Sequence, residues 1–213
     1  MSVSDSSKEY FDSIGADWDH LRGCFFPDRV RDVALAAAGL RAGDTAADLG
    51  AGTGFITEGL LAQDIRVVAV DRSEAMLEAL RRKFPWPGRV ECRIGEAENL
   101  PIADASLNGC LANMFLHHVE RPAVAIGEMV RILKPGGKVV LTDLDAHEFA
   151  SLRDEHHDRW MGFERGGIAK WFHDAGLTNV RVEGLGGECC STSSDGELAA
   201  ISIFIASGTR PPC

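Results

Sequence analysis

The stretch Asp48-Leu49-Gly50-Ala51-Gly52-Thr53-Gly54 limits what this chain can fold into more than any other. It follows the apolar run Thr45-Ala46-Ala47 and opens onto Phe55-Ile56-Thr57-Glu58-Gly59-Leu60-Leu61, so it reads as strand, glycine turn, helix. Glycines at alternate positions remove the side chains that would hold a flat ligand off the backbone, and they permit positive φ where the turn needs it. A small molecule is therefore expected to lie against main chain here. A second β-type run, Ile65 to Val70, ends in Asp71. That is about 20 residues beyond the turn, where an acid can accept hydrogen bonds from two ribose hydroxyls. Together the two features predict a nucleoside ligand.

A dinucleotide fold wants Gly or Ala at the last place of G-x-G-x-x-G, so that the helix packs close to the strand. Phe55 stands there. A phosphate-cradling loop needs Gly-Lys followed by Ser or Thr, and none follows Gly54. G-x-G-x-G, with Asp48 two residues before it and Asp71 closing the next strand, instead resembles the S-adenosylmethionine site of class I methyltransferases of the type 11, UbiE-like group. The Leu133-Lys134-Pro135-Gly136-Gly137 turn into the apolar run Val139-Val140-Leu141 is a companion signal. The plain alternative is a glycine turn that joins strand to helix and holds no ligand.

The chain has 213 residues, 45% hydrophobic and 25% charged, with a net charge of −10. That length fits one domain with a modest cap. The acidic balance argues against nucleic acid and anionic membrane as partners and favours a small-molecule substrate. Residues 1–8 lack the apolar core of a signal peptide, and no run approaches about 18 apolar residues. The expectation is a cytoplasmic protein, monomer or homodimer, whose six cysteines are reduced thiols.

Helical spacing of Val30, Val33, Ala34 and Ala37, closed by Gly39, predicts a helix, and residues 1–40 are expected to form a cap over the cofactor mouth. Residues 41–213 then form one cofactor-binding unit. Ser73 is a predicted helix N-cap, and Pro85 with Pro87 ends that helix. Ile126, Met129, Val130 and Leu133 give a second helical stripe, and Ile201, Ile203 and Ile205 an alternating strand. The resemblance implies an α/β, Rossmann-like sheet of seven strands in the order 3-2-1-4-5-7-6. Only strand seven is antiparallel, and helices cover both faces.

The resemblance also implies site residues. Asp48, Gly50, Ala51, Gly52, Thr53 and Gly54 would hold the cofactor at the turn; Asp71, Arg72 and Met76 would follow it along the ribose. Glu96 and Ala97 would meet the adenine edge, and Asn113, Met114 and His118 would lie at the end of the fourth strand. Tyr10 and Trp18 in the cap are candidates to touch cofactor or substrate, or else they only glue the cap to the core. His117 and His118 are candidate catalytic bases for an oxygen or nitrogen acceptor, with a structural role for the pair as the alternative.

Cys189 and Cys190 are expected in the loop after strand six, facing the same rim as Cys24, with His147 nearby as a further substrate residue. Three converging thiols would suit a soft acceptor. Cys92 and Cys110 fall within strands and read as core residues. His147, His156 and His157 show no paired-ligand spacing of zinc type, so no metal is expected. Residues 10–208, notably Trp160-Met161-Gly162-Phe163 after Asp143-Leu144-Asp145, are similar to the methyltransferase portion of ArsR-family regulator fusions. The function implied is methyl transfer from S-adenosylmethionine to a small acceptor, trivalent arsenic or a thiol among the candidates. The alternative is a non-catalytic module that binds the cofactor or senses a metal.

Overall fold

The computed structural model describes residues 9–13, 18–149, 153, 158–192, 196 and 198–212, with the side chains of His20, Leu21 and Cys24 outside that set. His156 and His157 also lie outside the described residues. Helices α1 (Trp18–Phe25) and α2 (Arg29–Ala38) precede an alternating series: β1 (Thr45–Leu49), α3 (Phe55–Ala62), β2 (Arg66–Asp71), α4 (Glu74–Lys83) and β3 (Val90–Ile94). The second half runs β4 (Leu107–Asn113), a 3-10 turn (Leu116–His118), α5 (Pro122–Arg131), β5 (Leu133–Leu144), α6 (Arg165–Asp174), β6 (Thr178–Thr192) and β7 (Leu198–Thr209).

The seven strands form one sheet in the order β3-β2-β1-β4-β5-β7-β6. Strands β1 to β5 pair in parallel, and β7 runs antiparallel to both β5 and β6. Parallel strands need helical crossovers, which cover both faces, so central strands are buried on both sides. Residues Ala46 to Leu49 and Val67 to Val70 are accordingly all buried. Two cores result, one on each face. The first gathers Val30, Leu35, Leu60, Ile65 and Ile203; the second gathers Leu116, Ile126, Met129, Ile168 and Phe172. Each such side chain, fully withdrawn from water, stabilises the fold by about 1.5–3 kcal/mol.

Local signals account for the helix ends. Ser73 Oγ accepts the Met76 amide at 3.2 Å and caps α4. Gly39, at φ 60, ends α2 by donating its amide to Leu35 O. Pro122 opens α5, where its missing amide proton costs nothing.

Two expectations change. Helix α2 buries Val30, Ala34, Leu35 and Ala38 in the first core, so it covers the sheet, and only the residues up to Phe26 stand at the cavity mouth. Strand β6 extends for 15 residues and continues past a register shift between Gly184 and Glu188, so Cys189 and Cys190 lie within the strand and not in a loop. Successive strand residues face opposite sides. Cys189 packs inward and Cys190 is exposed.

Candidate active site

In open parallel sheets, ligands bind beyond the carboxyl ends of the strands where strand order reverses, here between β1 and β4. A cavity of about 200 Å³ lies there. Its floor is the glycine turn after β1, its walls are the residues following β2, β3 and β4, and its roof is aromatic: Tyr10, Phe11, Trp18 and Phe25.

At the turn, Gly50, Gly52 and Gly54 all have positive φ, of 61, 51 and 95°. Packing alone explains two of them. A Cβ on Gly50 would run into the Phe115 ring, and one on Gly54 would meet Phe84 at 2.7 Å and Leu80 at 3.2 Å. Gly52 differs, because an added Cβ would project toward the cavity and meet only the Trp18 indole, at 3.5 Å.

Asp71 closes β2 opposite Gly52. Its Oδ2 accepts the Gly52 amide at 2.8 Å and its Oδ1 the Ser73 amide at 2.9 Å. Burial raises its pKa, and the Ser73, Gly52 and Arg72 amides pull it part of the way back. The carboxyl is thus aimed by main chain.

Asp48 does other work. It is 2% exposed, and its Oδ2 accepts both the Thr57 amide, at 2.9 Å, and the Thr57 hydroxyl, at 2.7 Å. Gly54, the N-cap of α3, has no side chain to offer, so Asp48 supplies the missing acceptor from the strand below. Burial pushes its pKa up to about 7. The expected acidic lip thus lines the cavity and also caps the helix under the turn.

The cap is tied to the turn by polar contacts. The Thr53 hydroxyl donates to Asp19 Oδ1 at 2.6 Å, Lys83 Nζ reaches Asp19 Oδ2 at 3.1 Å, and the Ser73 hydroxyl donates to Asp12 Oδ1 at 2.5 Å. Thr53 is spent on this link, Gly54 on helix packing, and neither lines the cavity. Tyr10, Trp18, Ala51, Arg72 and Met76 do, as do Glu96, Ala97, Asn113 and Met114.

The far side is built on β4 and β5. Asn113 Oδ1 accepts the Thr142 hydroxyl at 2.8 Å, and Met114 then takes φ 48, a left-handed value that costs a side-chain-bearing residue energy. The bend sends Phe115 back over Gly50 and turns His117 inward. His117 is 6% exposed, with Nδ1 2.6 Å from Asp143 Oδ1. Asp143, fully buried, also accepts the Leu116 and Leu144 amides, each at 2.8 Å. Burial opposes a charge on His117, but the Asp143 and Asp158 carboxylates outweigh it and hold the pKa up to about 9. At neutral pH, then, His117 is protonated and fixed, and it does not fit the expected role of base. His118 lies beside it, half-buried and lining the cavity, with its ring edge-on to Phe11 at 5.2 Å.

Of the expected thiols, one is placed at the cavity. Cys189 lines the cavity, and burial pushes its pKa up to about 12, so it is not a thiolate at neutral pH. Cys190 faces the opposite side, and the Cys24 side chain lies outside the described residues. His147 accepts the Phe149 amide on Nδ1 at 3.3 Å and does not line the cavity. Burial and the nearby His117 charge lower its pKa. Phe11, Phe115, Asp143 and Asp158 were not singled out as site residues from sequence. The only trace was the density of His and acids across residues 147–158.

Residues 47–141 match the family model described as a methyltransferase domain. A demethylmenaquinone methyltransferase of Clavibacter sepedonicus is 39% identical over 102 residues, covering 48% of this chain and 42% of the relative. The putative methyltransferase of Haloferax volcanii, solved in complex with the Trm112 methyltransferase activator, superposes with a TM-score of 0.76 at 20% identity, over 94% of this chain and 97% of that one. Phosphoethanolamine N-methyltransferase 2 of Haemonchus contortus, solved with S-adenosyl-L-methionine, gives a TM-score of 0.71 at 15% identity, over 85% of this chain and 52% of that one. The chain spans between 24% and 54% of the length of the first curated relatives it matches.

Proposed function

We propose, from the premise that residues 47–141 form a class I methyltransferase domain on this sheet, that the protein transfers a methyl group to a small-molecule acceptor. The cofactor is S-adenosylmethionine, which when bound supplies an electrophilic methyl carbon together with its own leaving group. One observation carries the reading: Asp71, held by the Gly52 and Ser73 amides, is an aimed carboxylate beside bare main chain at the switch point of the sheet. A nucleoside ribose needs that acceptor, and the absence of a P-loop or dinucleotide pattern suits a cofactor without phosphate.

The residues then have distinct tasks. Asp71 accepts hydrogen bonds and positions; Gly52 lets the ligand approach; Trp18 and its aromatic neighbours exclude water. The acidic residues of the cavity suit a positive sulfonium. His117, protonated between carboxylates, organises the far wall, and His118, where no ion binds it, is placed at the cavity to accept a proton from an oxygen or nitrogen acceptor. Among the described residues Cys189 alone brings a thiol to the cavity, which does not support a three-thiol site for arsenic. The net charge of −10 supports a small acceptor over nucleic acid, and no described helix is long and apolar enough to cross a membrane. We read the protein as cytoplasmic. The likeness to ArsR-family fusions is a reading of the sequence of residues 10–208, notably Trp160 to Phe163 after Asp143-Leu144-Asp145.

Calorimetric titration with S-adenosylmethionine and its demethylated product tests the cofactor. Incubation with methyl-labelled cofactor and a panel of phenols, amines, thiols and arsenite tests transfer. Binding without product from any acceptor would leave a sensor and sink the enzyme reading.

A further inference from the structure

The cavity has a second polar cluster at the end away from Asp71. His117 and His118 are consecutive in the 3-10 turn, with ring centroids 4.1 Å apart. The segment bearing Asp158 is fastened to this turn, because the Arg159 and Trp160 amides both donate to His117 O at 3.0 Å. Asp158 is 4% exposed. Its Oδ1 lies 3.7 Å from His117 Nε2 and 3.8 Å from His118 Nδ1.

Both distances are too long for hydrogen bonds. They approach the spacing of about 3.4 Å between ligands on one tetrahedral ion with bonds of about 2.1 Å. One ligand atom from each of the three residues lies within 4.8 Å of the other two. The support behind them also fits an ion. With Asp143 Oδ1 2.6 Å from His117 Nδ1, the Nδ1 proton stays on the Asp143 side, and a cation that displaces the Nε2 proton meets a lone pair aimed toward Asp158. A carboxylate behind a ligating imidazole is the usual outer shell of a histidine–metal bond. Phe11 against His118 and the amides on Asp143 hold the other groups in place.

We propose that His117 Nε2, His118 Nδ1 and Asp158 Oδ1 form a binding site for one divalent first-row cation, with Zn2+ and Fe2+ as the fitting class. Two imidazoles and a carboxylate suit such borderline ions better than Mg2+ or Ca2+, which favour all-oxygen shells. Three protein ligands leave a position open, and His118 and Asp158 both line the cavity, so that position faces the space where an acceptor would enter. Two carboxylates, Asp143 and Asp158, balance the charge of the ion. The site stands on these contacts and does not depend on methyl transfer.

The 213-residue chain, stripped with a chelator and titrated with Co2+, tests the site. The expected result is one equivalent per chain with visible ligand-field bands, displaced by Zn2+. Asp158→Asn and His118→Gln, both near-isosteric, should each weaken Co2+ binding at least about tenfold, and Asp143→Asn by about 10–100-fold. Absence of saturable Co2+ binding overturns the proposal, as does an affinity unchanged in both Asp158→Asn and His118→Gln. Loss of binding in Cys189→Ser, with those two variants intact, also overturns it by moving the ion to a thiol. Circular dichroism accompanies each variant; if Asp158→Asn fails to fold, His118→Gln, on a half-buried ring, decides. Binding of S-adenosylhomocysteine, measured in parallel, reports separately on the cofactor reading.

Discussion

The two ends of the cavity solve the same problem, a carboxylate out of water, by different means. At the glycine turn, Asp71 and Asp48 are satisfied by backbone amides and a hydroxyl from residues 2 to 19 positions away in the chain. At the histidine end, Asp143 meets an imidazole 26 residues distant, and Asp158 approaches the same ring from a segment beyond β5. Main-chain donors carry no ionisable proton, so the first end is set by local geometry. The second is set by protonation, and by what else competes for the imidazole.

The largest effect is expected where that difference is removed. Asp143→Ala strands the His117 charge in a dry site and leaves two amides without acceptors, which should cost about 3–5 kcal/mol of stability by denaturant unfolding. Should the loss stay under about 1 kcal/mol, the pairing is not what holds that end together.

Asp71→Ala should act on binding more than on folding. Removing a charged acceptor costs about 2–3 kcal/mol of ligand affinity, roughly a hundredfold by calorimetry. An unchanged dissociation constant would mean that the turn end does not hold a ribose.

Dependence on pH separates the ends further. His117 has its pKa raised from 6.5 to about 9, so its contribution is fully present below pH 6.5 and lost as pH rises through 9. Asp48 is raised from 3.8 to about 7, so the folded state binds the extra proton and stability falls as pH rises through that lower window. The first amounts to on the order of 3 kcal/mol and the second to on the order of 4 kcal/mol. His117→Gln should flatten the upper window of a stability profile, and Asp48→Asn should reduce the slope of the lower one, where Asp71 contributes in the same sense. A profile that keeps both slopes in both variants would break the comparison.

The smallest expected effect is chemical. Exposed Cys190 should alkylate at least about ten times faster than inward Cys189. Peptide mass spectrometry after a timed iodoacetamide pulse measures the ratio, and equal rates would show that β6 opens readily.

The sequence by itself determined the sheet and the turn end. Strand periods, Ser73 as a cap, Gly39 as a stop and the Asp48 to Gly54 turn are patterns within a few residues, and local sterics and hydrogen bonding fix their meaning. Only the tertiary structure decided which of those residues face the cavity. Thr53 looked like a ligand contact because motif position carries no direction; Asp19 claims its side chain instead, while Asp48 both lines the cavity and caps a helix. Cys189 and Cys190 parted because β6 runs further than its apolar pattern indicated, and strand alternation separates neighbours. The His117, Asp143 and Asp158 cluster was illegible for a related reason. Its members sit on three segments, and a charge held by long-range contacts leaves no period in the chain.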